Sequence, residues 1–125
     1  MEVIFLRGAE ADLLAAWMRY EEILPGLGDR FEAEVRAALL RTVELPESAP
    51  VYAGEFRRLL VRKFDHGIFY RIHGSRIVVT AVLDLRQDPS TIRRRLNLTR
   101  TSRYLAKAAA RVTSENVRFL NGVLI

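Results

Sequence analysis

The chain contains no cysteine, and long apolar runs are missing as well. Without cysteine it can form neither a disulfide framework nor a thiolate metal site. No apolar run approaches the roughly 20 residues that a membrane-spanning helix needs. The N-terminus lacks the basic, apolar and small-residue order of a signal peptide. From these absences we expect a cytoplasmic protein that contacts no membrane, with no metal and no other cofactor.

Histidine is scarce, since only His66 and His73 occur in 125 residues, and acidic residues are scarce in the second half. Residues 1–55 carry five Lys or Arg against eleven Asp or Glu. Residues 56–95 carry ten against three, and residues 96–125 carry five against one. A basic second half indicates either an anionic partner or a surface that is merely well solvated. Charge alone leaves both possibilities open.

The first part of the chain predicts one strand and two helices of a single domain. The apolar run in Glu2–Leu6 is typical of a strand inside a sheet. From Ala9 to Leu24 apolar residues, Trp17 among them, recur every three or four positions, which predicts a helix with one buried stripe. The segment Pro25–Gly28 ends this helix, because proline cannot continue it and glycine accepts a left-handed turn.

A second helix is predicted to start at Asp29, because Asp29 and Glu32 have the spacing of a capping box. Pro46 stops it. The short connection between the helices predicts an antiparallel helical hairpin. Both helices are apolar along one side only, so both need a surface to cover.

That surface is predicted between Phe56 and Asp84. Three runs rich in β-branched and aromatic residues alternate there with short breaks that carry Gly or Asp. They predict three consecutive antiparallel strands, Phe56–Phe64, Ile68–His73 and Arg76–Asp84. Asp88 and Pro89 then predict the start of a short helix. The expected fold class is α+β: a strand, a two-helix hairpin and a three-stranded antiparallel meander in a small twisted sheet.

The order and spacing of several short motifs resemble the RelE/ParE superfamily, the toxins of bacterial type II toxin–antitoxin systems. The motifs are Ala11-Asp12-Leu13, Pro25-Gly26-Leu27-Gly28, Phe64-Asp65-His66-Gly67-Ile68-Phe69-Tyr70-Arg71, Val82-Leu83-Asp84 and Arg86-Gln87-Asp88-Pro89. The resemblance covers residues 1–96, which we take as the toxin domain. It implies a small protein that arrests growth when free. It also implies a cognate antitoxin as partner, with a homodimer or a toxin–antitoxin heterotetramer as the possible assembly.

The resemblance leaves two functions open. ParE-like members poison DNA gyrase and are not known as nucleases, whereas RelE-like members cut messenger RNA on the ribosome. Of the basic positions typical of RelE-like members, Arg58 and Arg86 match, but Leu60 and Gly67 stand where cations are expected. Nothing near Ile92 replaces the usual terminal tyrosine. The sequence therefore favours a ParE-like inhibitor that binds its target over a RelE-like ribosome-dependent endoribonuclease.

Candidate site residues follow from the same comparison. If the chain is a nuclease, the catalytic candidates are Arg58, Arg86 and His66. The predicted target-binding residues are Arg57, Arg58, Arg62, Lys63, Arg71, Arg86 and Arg93. Strand alternation places Arg57 and Lys63 on one face and Arg58 and Arg62 on the other. Each histidine precedes a glycine, so local turn preference accounts for both. Tyr70 is predicted to be a core residue with a bonded hydroxyl.

Residues 97–125 extend past the resemblance and predict a C-terminal helical extension. Arg100, Arg103, Lys107 and Arg111 share one helical face there, and apolar residues share another. Such a helix can dock one side while the charged side stays in water. We expect this segment to fold back on the domain or on a second copy, or else to bind a partner.

Overall fold

Five strands and three helices make up residues 1–96, the part of the chain that this computed structural model describes. They run in the order β1 (Glu2–Phe5), α1 (Arg7–Ile23), α2 (Leu27–Glu44), β2 (Val51–Ala53), β3 (Phe56–Leu60), β4 (His66–His73), β5 (Arg76–Asp84) and α3 (Pro89–Leu96). The sheet order is β1-β5-β4-β3-β2, with β1 parallel to β5 and the other pairs antiparallel. The α+β fold and its meander are confirmed, whereas the extension predicted for residues 97–125 lies outside the described residues. Within residues 1–96 no helix is both long and apolar enough to cross a membrane.

Two apolar cores lie on opposite faces of the sheet. The larger core packs α1 and α2 against one face, which we call the hairpin face. The smaller core packs α3 against the opposite face, which we call the α3 face. The larger core includes Val3, Phe5, Leu13, Phe31, Val35, Leu39, Ile68, Tyr70, Ile77, Val79 and Val82. The smaller core consists of Phe56, Phe69, Ala81, Leu83, Ile92 and Leu96.

β1 lies at the edge of the sheet, although the sequence predicts a position inside it. Among residues 1–96 its strand partner is β5 alone, with Val3 opposite Ile77. Val3 packs in the larger core, and Ile4, which alternation turns to the other face, is also buried. Burial on both faces explains why this edge strand has the apolar sequence of an internal one.

The turn between α1 and α2 is capped by a side chain from the preceding helix. The Glu21 carboxylate accepts hydrogen bonds from the backbone N–H groups of Gly26 (3.1 Å), Gly28 (2.9 Å) and Asp29 (3.3 Å). These bonds satisfy N–H groups that the first turn of α2 leaves without helical partners. α2 therefore begins at Leu27, and the capping box predicted for Asp29 and Glu32 does not form.

Trp17 is half-buried, so its predicted place in the core is wrong. Its indole Nε1 donates to Asp29 Oδ1 at 3.0 Å, at the rim of the hairpin. The two helices approach closely beside it: a Cβ atom on Gly28 would lie 2.6 Å from the Trp17 carbonyl oxygen. At Gly28 the backbone of α1 thus approaches α2 directly, and the indole lies against the same glycine.

The first strand of the meander is shorter than predicted. β3 ends at Leu60, and residues 61–65 form a turn in which Lys63 has a φ of 69°. The predicted alternation of Arg62 and Lys63 between two faces therefore does not apply. The structure also contains β2, a three-residue strand that pairs with β3 across a tight turn at Gly54 and that the sequence did not predict.

The close approach at Gly28 gives a stability prediction. Gly28→Ala should lower the free energy of unfolding, because the new methyl group meets a carbonyl oxygen that only movement of α1 could relieve. Such overpacking costs about 1–3 kcal/mol, more than the roughly 1 kcal/mol that alanine gains in helix propensity. Chemical denaturation measures the difference.

Gly8→Ala is the matched control. The nearest obstacle at Gly8 is the Arg95 guanidinium, at 2.9 Å, which is paired with Asp12 but can shift without any movement of backbone. This variant should therefore lose less stability than Gly28→Ala. A Gly28→Ala protein that equals Gly8→Ala in stability would show that the helices can separate freely.

Candidate functional site

Arg57 belongs to the framework of the domain rather than to an exposed binding surface. Its Nη1 donates to the carbonyl oxygens of Glu47 (2.9 Å) and Ala49 (2.7 Å) in the loop between α2 and β2. The Tyr70 hydroxyl, as predicted, is bonded, and it donates to the Pro46 carbonyl in the same loop at 2.7 Å. Arg57 and Tyr70 face each other across β3 and β4, so together they hold this loop against the hairpin face.

Arg71, another predicted target-binding residue, is only 4% exposed. Its Nη2 lies 3.2 Å from His73 Nδ1, and its Nε lies 3.8 Å from a Glu55 carboxylate oxygen. A guanidinium buried in this way cannot contact a macromolecule, because the Arg71 side chain would first have to move out to the surface.

Arg58 lies on the α3 face. Its guanidinium carbon is 5.5 Å from the centre of the Tyr52 ring, and Tyr52 packs edge-on against Phe69 at 5.1 Å. The arginine is half-buried, with one side on an aromatic ring and the other open to solvent. Such stacking fixes the position of a cation while leaving hydrogen-bond donors free.

Three of the exposed cations lie at one end of the sheet. Arg62 and Lys63 are exposed in the turn after β3, and Arg86 is exposed just after β5. The two segments are held together, since the Leu85 N–H donates to the Asp65 carbonyl at 2.8 Å. We call Arg62, Lys63 and Arg86 the basic end of the sheet. Arg93 is exposed on α3.

Arg86 is tied to a carboxylate. Its Nε and Nη2 donate to the two oxygens of Asp84 at 3.0 and 2.7 Å, and Asp65 lies 3.8 Å from Nε. The hydrogen bond from Arg86 lowers the pKa of Asp84 to about 2, and the same pair raises the pKa of Arg86. Both groups therefore stay ionised at neutral pH, and neither can act there as an acid or a base.

His66 is buried, so its interpretation as a turn residue is wrong. It is 2% exposed at the start of β4, and its ring centre lies 5.0 Å from that of Phe31. Its Nδ1 is 3.1 Å from the Tyr20 hydroxyl. Burial lowers the pKa of His66 and raises that of Tyr20. Both side chains are therefore neutral at pH 7, and His66 Nδ1 can accept a hydrogen bond from the Tyr20 hydroxyl.

The three nuclease candidates do not form one centre. His66 pairs with Asp84 across β4 and β5 on the hairpin face, beneath α1 and α2. Arg58 pairs with Phe69 on the α3 face. His66 and Arg86 line one groove beside α1, but Arg58 lies across the sheet from them, so the three residues cannot act together on one scissile phosphodiester.

An open groove of about 450 Å³ lies beside α1. Its lining consists of Asp12, Ala15, Ala16 and Arg19 from α1, His66 from β4, and Val82, Leu83, Asp84, Arg86 and Gln87 from β5 and the segment after it. Most of these residues were not predicted as site residues. They come from segments about 70 residues apart, and no local spacing connects them. Within the described part of the chain, no cluster of three or more His, Asp or Glu could hold a metal ion.

Comparison with known proteins agrees with this fold. A solved chain from the chromosomal ParDE TA system of P. aeruginosa superposes with a TM-score of 0.52 over 69% of this chain and 97% of that chain, at 18% sequence identity. No curated protein sequence matches significantly. The architecture is that of the RelE/ParE superfamily of toxins. The family model for the ParE toxin of the type II toxin–antitoxin system parDE matches residues 3–89, and the chain belongs to that family.

The buried His66 predicts how stability depends on pH. The unfolded chain binds a proton on this ring near pH 6.5, whereas the folded chain binds it only at lower pH, because burial penalises the imidazolium. The free energy of unfolding should therefore be highest above pH 6.5 and should decrease as the pH falls below it. Chemical denaturation at pH 7.5 and pH 5.5 measures the decrease.

His66→Phe keeps an aromatic ring at this position and removes the titration. Its free energy of unfolding should fall less between pH 7.5 and 5.5, although loss of the Tyr20 hydrogen bond costs about 1 kcal/mol at both pH values. His73→Phe, at the half-buried end of β4, serves as the control and should keep the parent's decrease. An equal decrease in His66→Phe and in the parent would contradict this assignment.

Proposed function

We propose that the protein arrests growth by binding and inhibiting DNA gyrase, and that a cognate antitoxin neutralises it by binding the folded domain. The observation that carries this proposal is the separation of the nuclease candidates onto two faces of the sheet. Membership of the ParE family supports it, because the resemblance implies gyrase as the target of ParE-like members.

The chemistry of the candidate residues supports binding rather than cleavage. His66 is enclosed by aromatic rings, and Asp84 and Arg86 hold each other ionised. In contrast, Arg58 and Arg86 are cations held in place by Tyr52 and Asp84, and Arg62 and Lys63 are exposed in the turn after β3. Fixed cations on a rigid support suit recognition of an anionic surface, since little side-chain entropy is lost on contact.

The proposed binding surface consists of four of the seven predicted target-binding residues, namely Arg58, Arg62, Lys63 and Arg86. Arg93 is exposed on α3. Arg57 and Arg71 are left out because of their contacts within the domain. Arg62, Lys63 and Arg86 are exposed, and Arg58 is half-buried.

The test is inhibition of supercoiling by purified gyrase in the presence of the full chain. We expect inhibition by the parent and about tenfold weaker inhibition by Arg58→Ala and by Arg86→Ala, because a contact of this kind contributes on the order of 1–2 kcal/mol. Arg41→Ala removes an exposed arginine from α2, far from the proposed surface in the chain, and should inhibit as strongly as the parent. Circular dichroism checks that each variant is folded.

Induction in cells separates gyrase from the ribosome as the target. Growth arrest with an SOS response and intact messages agrees with the proposal. Messages cut within coding regions, seen by primer extension, together with unaffected supercoiling, would replace it by ribosome-dependent cleavage. Full inhibition of gyrase by the Arg58→Ala, Arg86→Ala double variant would agree with gyrase as the target but would contradict the proposed binding surface.

A further inference from the structure

In the part of the chain that the structure describes, a stretch of β5 has a strand on one of its two sides only. β1 pairs with β5 only from Arg76 to Val79, and the Leu6 N–H donates to the Val79 carbonyl at 3.0 Å before the chain turns into α1. β4 continues on the other side of β5 as far as Asp84. Within residues 1–96, positions 80–84 of β5 therefore form a free edge, and the groove beside α1 lies along it.

The direction of the backbone groups at this edge follows from two hydrogen bonds. The Val82 N–H donates to Asp12 Oδ2 at 3.0 Å, away from β4. In an antiparallel ladder the N–H and C=O of one residue point to the same side, so the Val82 carbonyl also points into the groove. Two residues on, the Asp84 backbone faces the same way, and its carbonyl accepts a bond from Gln87 Nε2 at 3.0 Å.

Within residues 1–96, two backbone groups of the edge are left without a bond on this side, the Val82 carbonyl and the Asp84 N–H. They flank Leu83. One residue of an added strand can donate to the first and accept from the second when it runs parallel to β5. β1 pairs with β5 in the same orientation along the same edge, so an added segment would continue the line of β1.

The groove has room for such a segment and a charge to select it. Its volume of about 450 Å³ falls within the usual range of ligand sites, roughly 300–1,000 Å³. Two of its carboxylates are already paired, Asp12 with Arg95 at 2.7 Å and Asp84 with Arg86 at 2.7 Å. Arg19 is exposed on α1 and forms neither a hydrogen bond nor an ion pair within residues 1–96. Of the two arginines that line the groove, Arg19 is therefore the one with no carboxylate bound to it within residues 1–96.

We propose that this groove binds a short extended segment of a protein partner, which adds to the free edge of β5 as a parallel strand and places an acidic side chain against Arg19. Backbone hydrogen bonds to Val82 and Asp84 provide the affinity, and Arg19 provides the selectivity. The small side chain of Ala15 leaves the space that the segment needs. This inference concerns a site on α1 and β5 and is independent of which target the toxin inhibits.

The probe is the peptide Ac-Thr-Val-Glu-Val-Thr-NH2, titrated into the ¹⁵N-labelled full chain. We expect saturable chemical-shift changes centred on the amides of Val82 to Asp84. The lysine peptide Ac-Thr-Val-Lys-Val-Thr-NH2 should bind about tenfold more weakly, and the Arg19→Glu variant should reverse this preference. A glutamate peptide N-methylated at its central residue should also bind about tenfold more weakly, since it cannot donate to Val82.

Matched substitutions at two exposed helical alanines test the location. Ala15→Phe fills the groove and should weaken binding at least about tenfold, whereas Ala33→Phe, on α2, should leave it unchanged. Absence of saturable shifts at Val82–Asp84 would overturn the proposal. So would equal binding by Ala15→Phe and the parent, or equal binding by the N-methylated and unmodified peptides. Shifts confined instead to Arg62 and Lys63 would assign the peptide to the turn after β3 and would equally contradict this site.

Discussion

The carboxylate of Asp12 joins three elements that the chain places far apart. Both of its oxygens accept from the Arg95 guanidinium at 2.7 Å, which fixes α3 to α1, and Oδ2 also accepts the Val82 N–H at 3.0 Å. A bidentate pair of this kind is both strong and directional. Because of it, the part of β5 that β1 does not reach is bound to α1 as well as to β4, and α3 is held over the second face. The groove beside α1 is bounded at one end by this contact.

The arginines of the sheet likewise differ in function because they differ in the groups that they contact within the domain. Arg57 satisfies two loop carbonyls, Arg71 is enclosed, and Arg86 is neutralised by Asp84. Position and resemblance together favoured Arg58 and Arg86 over Arg57 and Arg71. Arg58, stacked on Tyr52, and Arg86, bound to Asp84, combine a fixed position with access to solvent. A high density of cations in a sequence is therefore a poor measure of the cationic surface that a partner meets.

The elements could be predicted from the sequence more fully than their contacts. Helical stripes and β-branched runs are local signals, and they correctly predicted α1, α2, α3 and the meander. The errors occur where tertiary contacts override a local preference. His66 has the local sequence of a turn residue, yet Phe31 and Tyr20 enclose it. Asp29 has the spacing of a cap, yet Glu21 takes over that role from the preceding helix. The groove could not be predicted, since it exists only where α1 passes an edge of β5.

The parallel pairing of β1 with β5 also constrains when the domain can form during synthesis. β1 is made first, yet its only strand partner among residues 1–96 begins at Arg76, so the pairing closes a loop of about 70 residues. Such distant contacts form late, because the entropy of closing the loop must be met before they contribute any stability. The helical hairpin can assemble on the ribosome while the sheet is still incomplete. A chain interrupted before β5 would therefore carry the acidic helices without a finished basic surface. A folded toxin therefore cannot form until nearly the whole domain has left the ribosome.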